Sequence, residues 1–418
     1  MALPRACAIV ADQARAAEGA SLRSLAVPIG LTLAVQTLVA VAMYSAPVMA
    51  PVAGPRDLGV PASWVGYYIA IAYMGSMMGS VAAGGLVARY GPVRISQAGL
   101  VSCLIGLALS ASTPSLCVVA LGAFFVGLGY GPTTPASSQI LVRATPPSLI
   151  SVTFSLKQTG VPLGGAIAGA LVPTLILAFG WQWSAVAIGV ACVLLALAIQ
   201  PLRSRYDIGL NASAPISVRS AFAPLGFVFR DRRIGEMAVA SFVYGGVQVT
   251  LVAYLVTFLT DSFAMTLVLA GFVMAVSQIA SVIGRVVWGV IADRALNRRV
   301  MLGVLGLGMG MSALASLAAS PAWPLPLLFL FAAVFGATAV GWNGVFLAEV
   351  ARLAPPGQTT QATGGCMFFT FLGVVVSPPL FSQVLSMGGT YATAFALFGI
   401  PALVVGVWLL AVKRVGAQ

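Results

Sequence analysis

Two basic residues stand inside apolar sequence: Lys157 in SVTFSLKQTGVPLGG (151–165) and Arg285 in FVMAVSQIASVIGRVVWGVIAD (272–293). A charge held in hydrocarbon costs ~2.5–3.5 kcal/mol on insertion scales and marks a functional site by default. Buried charges are normally paired. The acidic residues are Asp12, Glu18, Asp57, Asp207, Asp231, Glu236, Asp261, Asp293 and Glu349, each in a loop or at the end of an apolar run, so none matches the two cations in depth. The missing counter-charge is therefore expected from outside, as an anion, most simply a carboxylate. Arg285 precedes Asp293 by eight residues, about 12 Å of helix, which is far for a side chain to reach back to the loop. Gln278, Ser281 and Arg285 share one helical face by spacing, and a guanidinium suits two-point carboxylate recognition. An arginine bonded to backbone carbonyls is the competing reading. Lys157 lies nearer its loop: it reads as a second substrate cation, as a gate, or as a stem that reaches the interface.

The elements that must position these cations are membrane helices. The 418 residues are 60% hydrophobic and 7% charged, far below the ~25% charged of soluble chains. There is no histidine, which removes the commonest metal ligand and proton shuttle. The five cysteines form no CxxC pair, so no metal site and no cofactor are expected. No catalytic dyad is visible either, so an enzyme is not expected. The net charge of +12 sits in short loops between apolar runs, which argues for a lipid bilayer as partner and against nucleic acid.

Twelve runs are long enough to span, near 25–50, 64–88, 95–112, 116–141, 151–178, 183–200, 235–260, 265–291, 300–319, 325–350, 361–386 and 390–412. The first exceeds a signal-peptide core and is read as retained. Residues 1–24 form an N-terminal segment, 25–200 one six-helix bundle, 201–234 a polar linker, 235–412 a second bundle and 413–418 a tail. Outside the spans, eighteen Lys and Arg residues fall on one side and only Arg56 on the other. The basic side is cytoplasmic, with both termini on it. The predominance of arginine over lysine suggests a GC-rich bacterial genome and hence a cytoplasmic (inner) membrane.

The halves echo each other. GGLVARYGPVR (84–94) matches GVIADRALNRR (289–299), and LVRATPP (141–147) matches VARLAPP (350–356), at offsets of 205 and 209 residues. Two such matches imply a duplicated helical bundle.

These loops resemble the major facilitator superfamily, whose signature after spans two and eight is G-x-x-x-D-R-x-G-R. The second copy keeps Gly289, Asp293 and Arg294; the first keeps Gly84, Arg89 and Gly91 but has Ala88 at the acidic position. The resemblance covers residues 25–412 and implies an all-α membrane protein of twelve helices in two pseudo-symmetric bundles, rocking about a central site. Asp293, with Glu349 as a further partner, would latch the cytoplasmic side, a latch that Ala88 denies the first copy. Gly160, Pro162, Gly164 and Gly165 resemble the G-P-x-x-G-G element of the antiporter branch, with Val161 inserted; plain helix packing is the alternative. An arginine eight residues before the loop acid resembles the monocarboxylate and oxalate–formate branches. Ser281 replaces the monocarboxylate branch's proton-coupling aspartate, and span eleven lacks the oxalate–formate branch's cation.

Tyr44, Tyr130, Tyr244, Gln248, Trp342 and Asn343 are further cavity candidates, being polar or aromatic within spans. The expected function is secondary transport of a small organic anion, a mono- or dicarboxylate, by a carrier working as a monomer. Without an embedded Asp, Glu or His, exchange or uniport is preferred over proton symport. Export of hydrophobic drugs is the rival within the superfamily.

Overall fold

A computed structural model of the chain describes residues 22–146, 149–214, 226, 228, 230–355 and 358–411. The N-terminal half holds α1 (Leu22–Ala53), α2 (Val65–Tyr90), α3 (Pro92–Ser112), α4 (Leu116–Tyr130), α5 (Thr133–Ala144), α6 (Ile150–Gln158), α7 (Gly160–Ala198) and the short α8 (Arg203–Tyr206). The C-terminal half holds α9 (Arg232–Phe263), α10 (Leu267–Arg294), α11 (Arg298–Ala315), α12 (Leu325–Ala339), α13 (Asn343–Leu353), α14 (Thr359–Ser386) and α15 (Tyr391–Ala411). The fold is all-helical, and ten segments among the described residues are long and apolar enough to cross a membrane.

One of those segments, 156–206, is 51 residues long and turns back on itself. Gly180 breaks α7 with φ 83°, a left-handed value that favours glycine. Before it, Gly160 and Gly164 lie against Gln36 and Ala40, so α7 runs along α1 in the same direction. After it, Gly189 lies against Leu104 and the Ala196 carbonyl accepts from Gln97, so the chain now runs opposite to α3.

Helix pairing repeats between the halves. In the first, α1 packs on α7, α3 on the returning part of α7, and α2 on α4. In the second, α9 packs on α14, α11 on α15, and α10 on α12. The seam between halves is made by α7 with α10, α2 with α14, and α1 with α9.

One end of the molecule carries the arginines. There residues 207–211, from the first part of the linker, pack against the first half. Gly91, φ 95°, turns α2 into α3, and Pro92 starts α3 with no capping side chain of its own. Asp207 supplies the cap from over a hundred residues away, accepting from Val93 N (2.8 Å) and Arg94 N (3.2 Å). Asn211 N donates to Ala88 O, and Arg143 donates to Ile208 O. Ala88 leaves the first loop without an acid of its own, and the linker brings one to the same junction. In the second half Asn297 caps α11, and Glu236 forms a buried ion pair with Arg299, whose Nε also donates to Leu409 O at 3.2 Å.

The other end is closed by glycine contacts across the seam. A Cβ on Gly66 of α2 would lie 1.9 Å from the Tyr254 hydroxyl and 2.5 Å from Pro378 O, both in the second half. Tyr254 itself donates to Pro378 O at 2.6 Å and stacks on Phe381 at 4.1 Å. Gly169 and Gly271 meet in the same way, each too close to the other's carbonyl to accept a methyl group.

Candidate functional site

The two cations stand on opposite sides of the seam, next to breaks in the helices. Pro162 has no N–H, so the carbonyl four residues before it, that of Gln158 at the end of α6, receives no helical hydrogen bond. Arg285 of α10 takes it, with Nη1 donating at 2.9 Å. On its other side the guanidinium donates through Nε (3.3 Å) and Nη2 (3.2 Å) to Val340 O, in the break between α12 and α13. The arrangement has a counterpart in the first half. Pro135 frees the Gly131 carbonyl in the break between α4 and α5, and Ser80 Oγ donates to it at 2.8 Å. Ser80 stands 205 residues before Arg285, the loop-repeat offset. Arg285 is thus both bonded to backbone carbonyls and fixed in orientation. Two of its five N–H bonds have no acceptor among the described residues.

Three tyrosines complete this region. Tyr44 of α1, Tyr73 of α2 and Tyr130 of α4 form one group near Arg285. Tyr73 and Tyr130 pack edge to face at 6.2 Å. From the second half, Gln248 Oε1 accepts from both Trp342 Nε1 and Asn343 Nδ2, each at 3.0 Å. Hydroxyls thus lie near Arg285, and amides at the helix break whose Val340 carbonyl it holds.

Lys157, at the end of α6, is 1% exposed. Its described partner is a neutral hydroxyl, Thr134 Oγ1, at 3.2 Å. Every acid in the described residues is engaged elsewhere. Asp57 accepts from Trp181, Asp207 and Asp231 cap helices, and Asp261 accepts from Tyr391. Glu236, Asp293 and Glu349 pair with Arg299, Arg298 and Arg352. Asp12 and Glu18 lie outside the described residues.

The remaining residues singled out in the sequence fall in several places. Tyr44 and Tyr130 lie near Arg285, and Gln248 and Asn343 are bonded to each other at the end of the break that holds Val340. Tyr244 is fully buried behind Trp342, its hydroxyl on Leu302 O at 2.9 Å. Ser281 is buried with its hydroxyl on Gln278 O, and Gln278 lies against Gly165 at the seam. Gly160 and Gly164 let α7 approach Gln36, Ala40 and Thr37 of α1 closely, while Pro162 frees the Gln158 carbonyl. Asp293 pairs with Arg298 at 2.7 Å; Arg294 is exposed; buried Glu349 holds Arg352 through both oxygens at 2.6 and 2.8 Å. Arg89 Nε is buried with no partner among the described residues. Gly91 lies where a side chain would strike Asp207, whereas Gly84 and Gly289, equivalent by the repeat, have open space beside them. Sequence reasoning missed Gln36, Tyr73, Ser80, Thr134 and Asp207. A mid-span amide at 36 and an uncapped Pro92 were the signals available for two of them.

Repeated helix pairings, broken helices and a cation-centred site at the seam between halves define a multi-pass membrane transporter, not an enzyme. Residues 32–350 match the Major Facilitator Superfamily profile, and the chain belongs to that family. It is 22% identical over 395 residues to a benzoate transport protein of Acinetobacter baylyi, covering 84% of this chain and 82% of that one. It is 24% identical over 377 residues to a probable sulfoacetate transporter of Cupriavidus necator, covering 83% and 85%. It is 20% identical over 291 residues to a hexuronate transporter of Bacillus subtilis, covering 65% and 67%. Among solved structures, a point mutant of the nucleoside transporter NupG superposes with TM-score 0.75 at 16% identity over 93% of this chain and all of that one. A POT family transporter in complex with 5-aminolevulinic acid gives 0.75 at 14% identity, over 92% and 95%.

Proposed function

We propose that this transporter carries a small organic anion, a mono- or dicarboxylate, by alternating access, working as an exchanger or uniporter. The observation that carries the reading is the state of Arg285: oriented by two carbonyls, with N–H bonds to spare, among tyrosines and with no carboxylate to answer it among the described residues. Relatives named for benzoate, sulfoacetate and hexuronate, all organic acids, support it. Among branches of the superfamily, the monocarboxylate and oxalate–formate types are the ones whose span-eight arginine this site resembles. Arg285 binds the carboxylate, with Tyr44, Tyr130, Gln248 and Asn343 beside it and Lys157 as second cation or gate.

The proposed topology has twelve spans in two six-helix bundles, 25–200 and 235–412, joined by the linker 201–234. The reversal at Gly180 makes two spans of the 156–206 segment, and α11 adds another between α10 and α12. The arginine-rich end is cytoplasmic, with both termini there, in a bacterial inner membrane. The glycine contacts at Gly66 and Gly169 then close the outer face, leaving Thr134 and Arg285 reachable from the cytoplasm. The latch residues Gly84, Arg89, Gly91, Gly289, Asp293, Arg294 and Glu349 act when the cytoplasmic side closes, and the open space beside Gly84 and Gly289 is what such a closure needs.

The test is uptake of labelled carboxylates into proteoliposomes, with and without anion loaded inside. Uptake that depends on the internal anion supports exchange. Accumulation driven by external pH alone, without a counter-substrate, overturns it. Full transport by Arg285→Ala overturns the assignment of the site.

A further inference from the structure

Beside Lys157 stands a group of neutral residues that no reading above uses. Gln36 of α1 is 1% exposed, and its Nε2 has no hydrogen-bond partner among the described residues. Its Oε1 lies 3.4 Å from Thr134 Oγ1, the same hydroxyl that faces the Lys157 ammonium at 3.2 Å. Gly160 makes this possible: its missing side chain leaves Gln36 room beside α7, with Gln36 Cβ 3.0 Å from where a methyl would stand. Thr134 is exposed, on the open side of the group. Three elements thus bring together an ammonium, a hydroxyl and an amide with a spare N–H. A buried amide nitrogen without an acceptor costs free energy, and a buried ammonium facing only a hydroxyl costs more. An oxyanion satisfies both at once.

The place of this group fixes what it can recognise. Lys157 is followed directly by Gln158, whose carbonyl is held by Arg285. Adjacent Cα atoms are ~3.8 Å apart, so the backbone of Lys157 stands one residue from the carbonyl that Arg285 holds. We propose that Gln36, Thr134 and Lys157 form a second anion subsite, and that the preferred cargo carries two anionic groups, one for Arg285 and one for this subsite. The inference rests on the organic-anion reading above and narrows it to dianions. Such a cargo bridges the halves, with Arg285 in one and the Gln36–Thr134–Lys157 group in the other.

The experiment compares succinate with its monoamide, succinamate, which has the same length and one charge fewer, as competitors of transport in proteoliposomes. The wild type is expected to bind succinate at least about tenfold more tightly than succinamate. Lys157→Met is expected to bring that ratio close to one, and Lys157→Arg to preserve part of it. If Lys157→Met does not fold, judged by size exclusion, Gln36→Leu and Thr134→Val provide the test, each lowering the ratio severalfold. A wild-type ratio near one overturns the proposal, and so does a ratio left unchanged by the folded variants. Transport of neither compound, nor of any other carboxylate, instead overturns the organic-anion reading on which the proposal rests.

Discussion

Arg285→Lys is the substitution that separates charge from geometry. The arginine divides its donors: Nε and Nη2 to Val340 O, Nη1 to Gln158 O, and two N–H bonds without an acceptor among the described residues, which the proposal gives to the cargo. Lysine keeps the positive charge but has one nitrogen, which cannot hold two carbonyls in different helices and a carboxylate together. A hydrogen bond to a charged group contributes ~1.5–3 kcal/mol. Losing one of the two to the carboxylate therefore weakens binding by about 10- to 150-fold, at ~1.4 kcal/mol per tenfold. The affinity of the best carboxylate is read by calorimetry on purified protein, and exchange by counterflow. Unliganded melting temperatures for both proteins show whether the fold survives the loss of the Val340 and Gln158 contacts. If the lysine variant binds within twofold of wild type, the guanidinium geometry is irrelevant to recognition and the reasoning fails.

Other substitutions probe the surrounding framework. Gly66→Ala places a methyl against Tyr254 and Pro378, and overpacking of this kind costs ~1–3 kcal/mol. It should shift the equilibrium toward opening of that end, seen as faster thiol labelling of an Ala62→Cys reporter; unchanged labelling would count against the seal. Asp207→Ala removes the cap of α3 and should cost ~0.5–2 kcal/mol, read as a lowered melting temperature together with faster proteolysis after Arg203 or Arg205. Glu236→Gln breaks a buried ion pair and should destabilise by ~3–5 kcal/mol, whereas Glu236→Leu combined with Arg299→Met should recover most of that loss; denaturant midpoints decide.

The arginine distribution and the repeated loops make the duplicated helical architecture legible before any coordinates. The breaks in the helices were less so. The spans at 116–141 and 325–350 read as continuous apolar runs, yet each is interrupted, at Gly131–Pro132 and at Val340–Trp342. Hydropathy registers only average apolarity, and a break of two or three residues with its carbonyl satisfied by a distant side chain leaves that average unchanged. The role of Pro162 was half visible: a proline in a glycine-rich run suggested a bend, but the freed Gln158 carbonyl matters because Arg285, over a hundred residues later, reaches it. Asp207 was hidden for the same reason. Its function lies in a contact with Val93 and Arg94 that no local pattern encodes. Charges in apolar sequence announce themselves by their cost, so Lys157 and Arg285 stood out. Gln36 and Thr134 are cheap to place in a span and became visible only once packed beside Lys157.

The pair Lys157 and Arg285, with no acid to balance them among the described residues, has an electrical consequence. In the proposed orientation the empty carrier holds two positive charges in the membrane field, and a charge moved through the full field costs ~2.3 kcal/mol per 100 mV. A cytoplasm-negative potential then holds the empty carrier facing inward and slows its return, while a bound dianion cancels the charge and frees the movement. The voltage itself would enforce one-for-one swapping: the carrier turns over readily when loaded in both directions and stalls when it must go back empty.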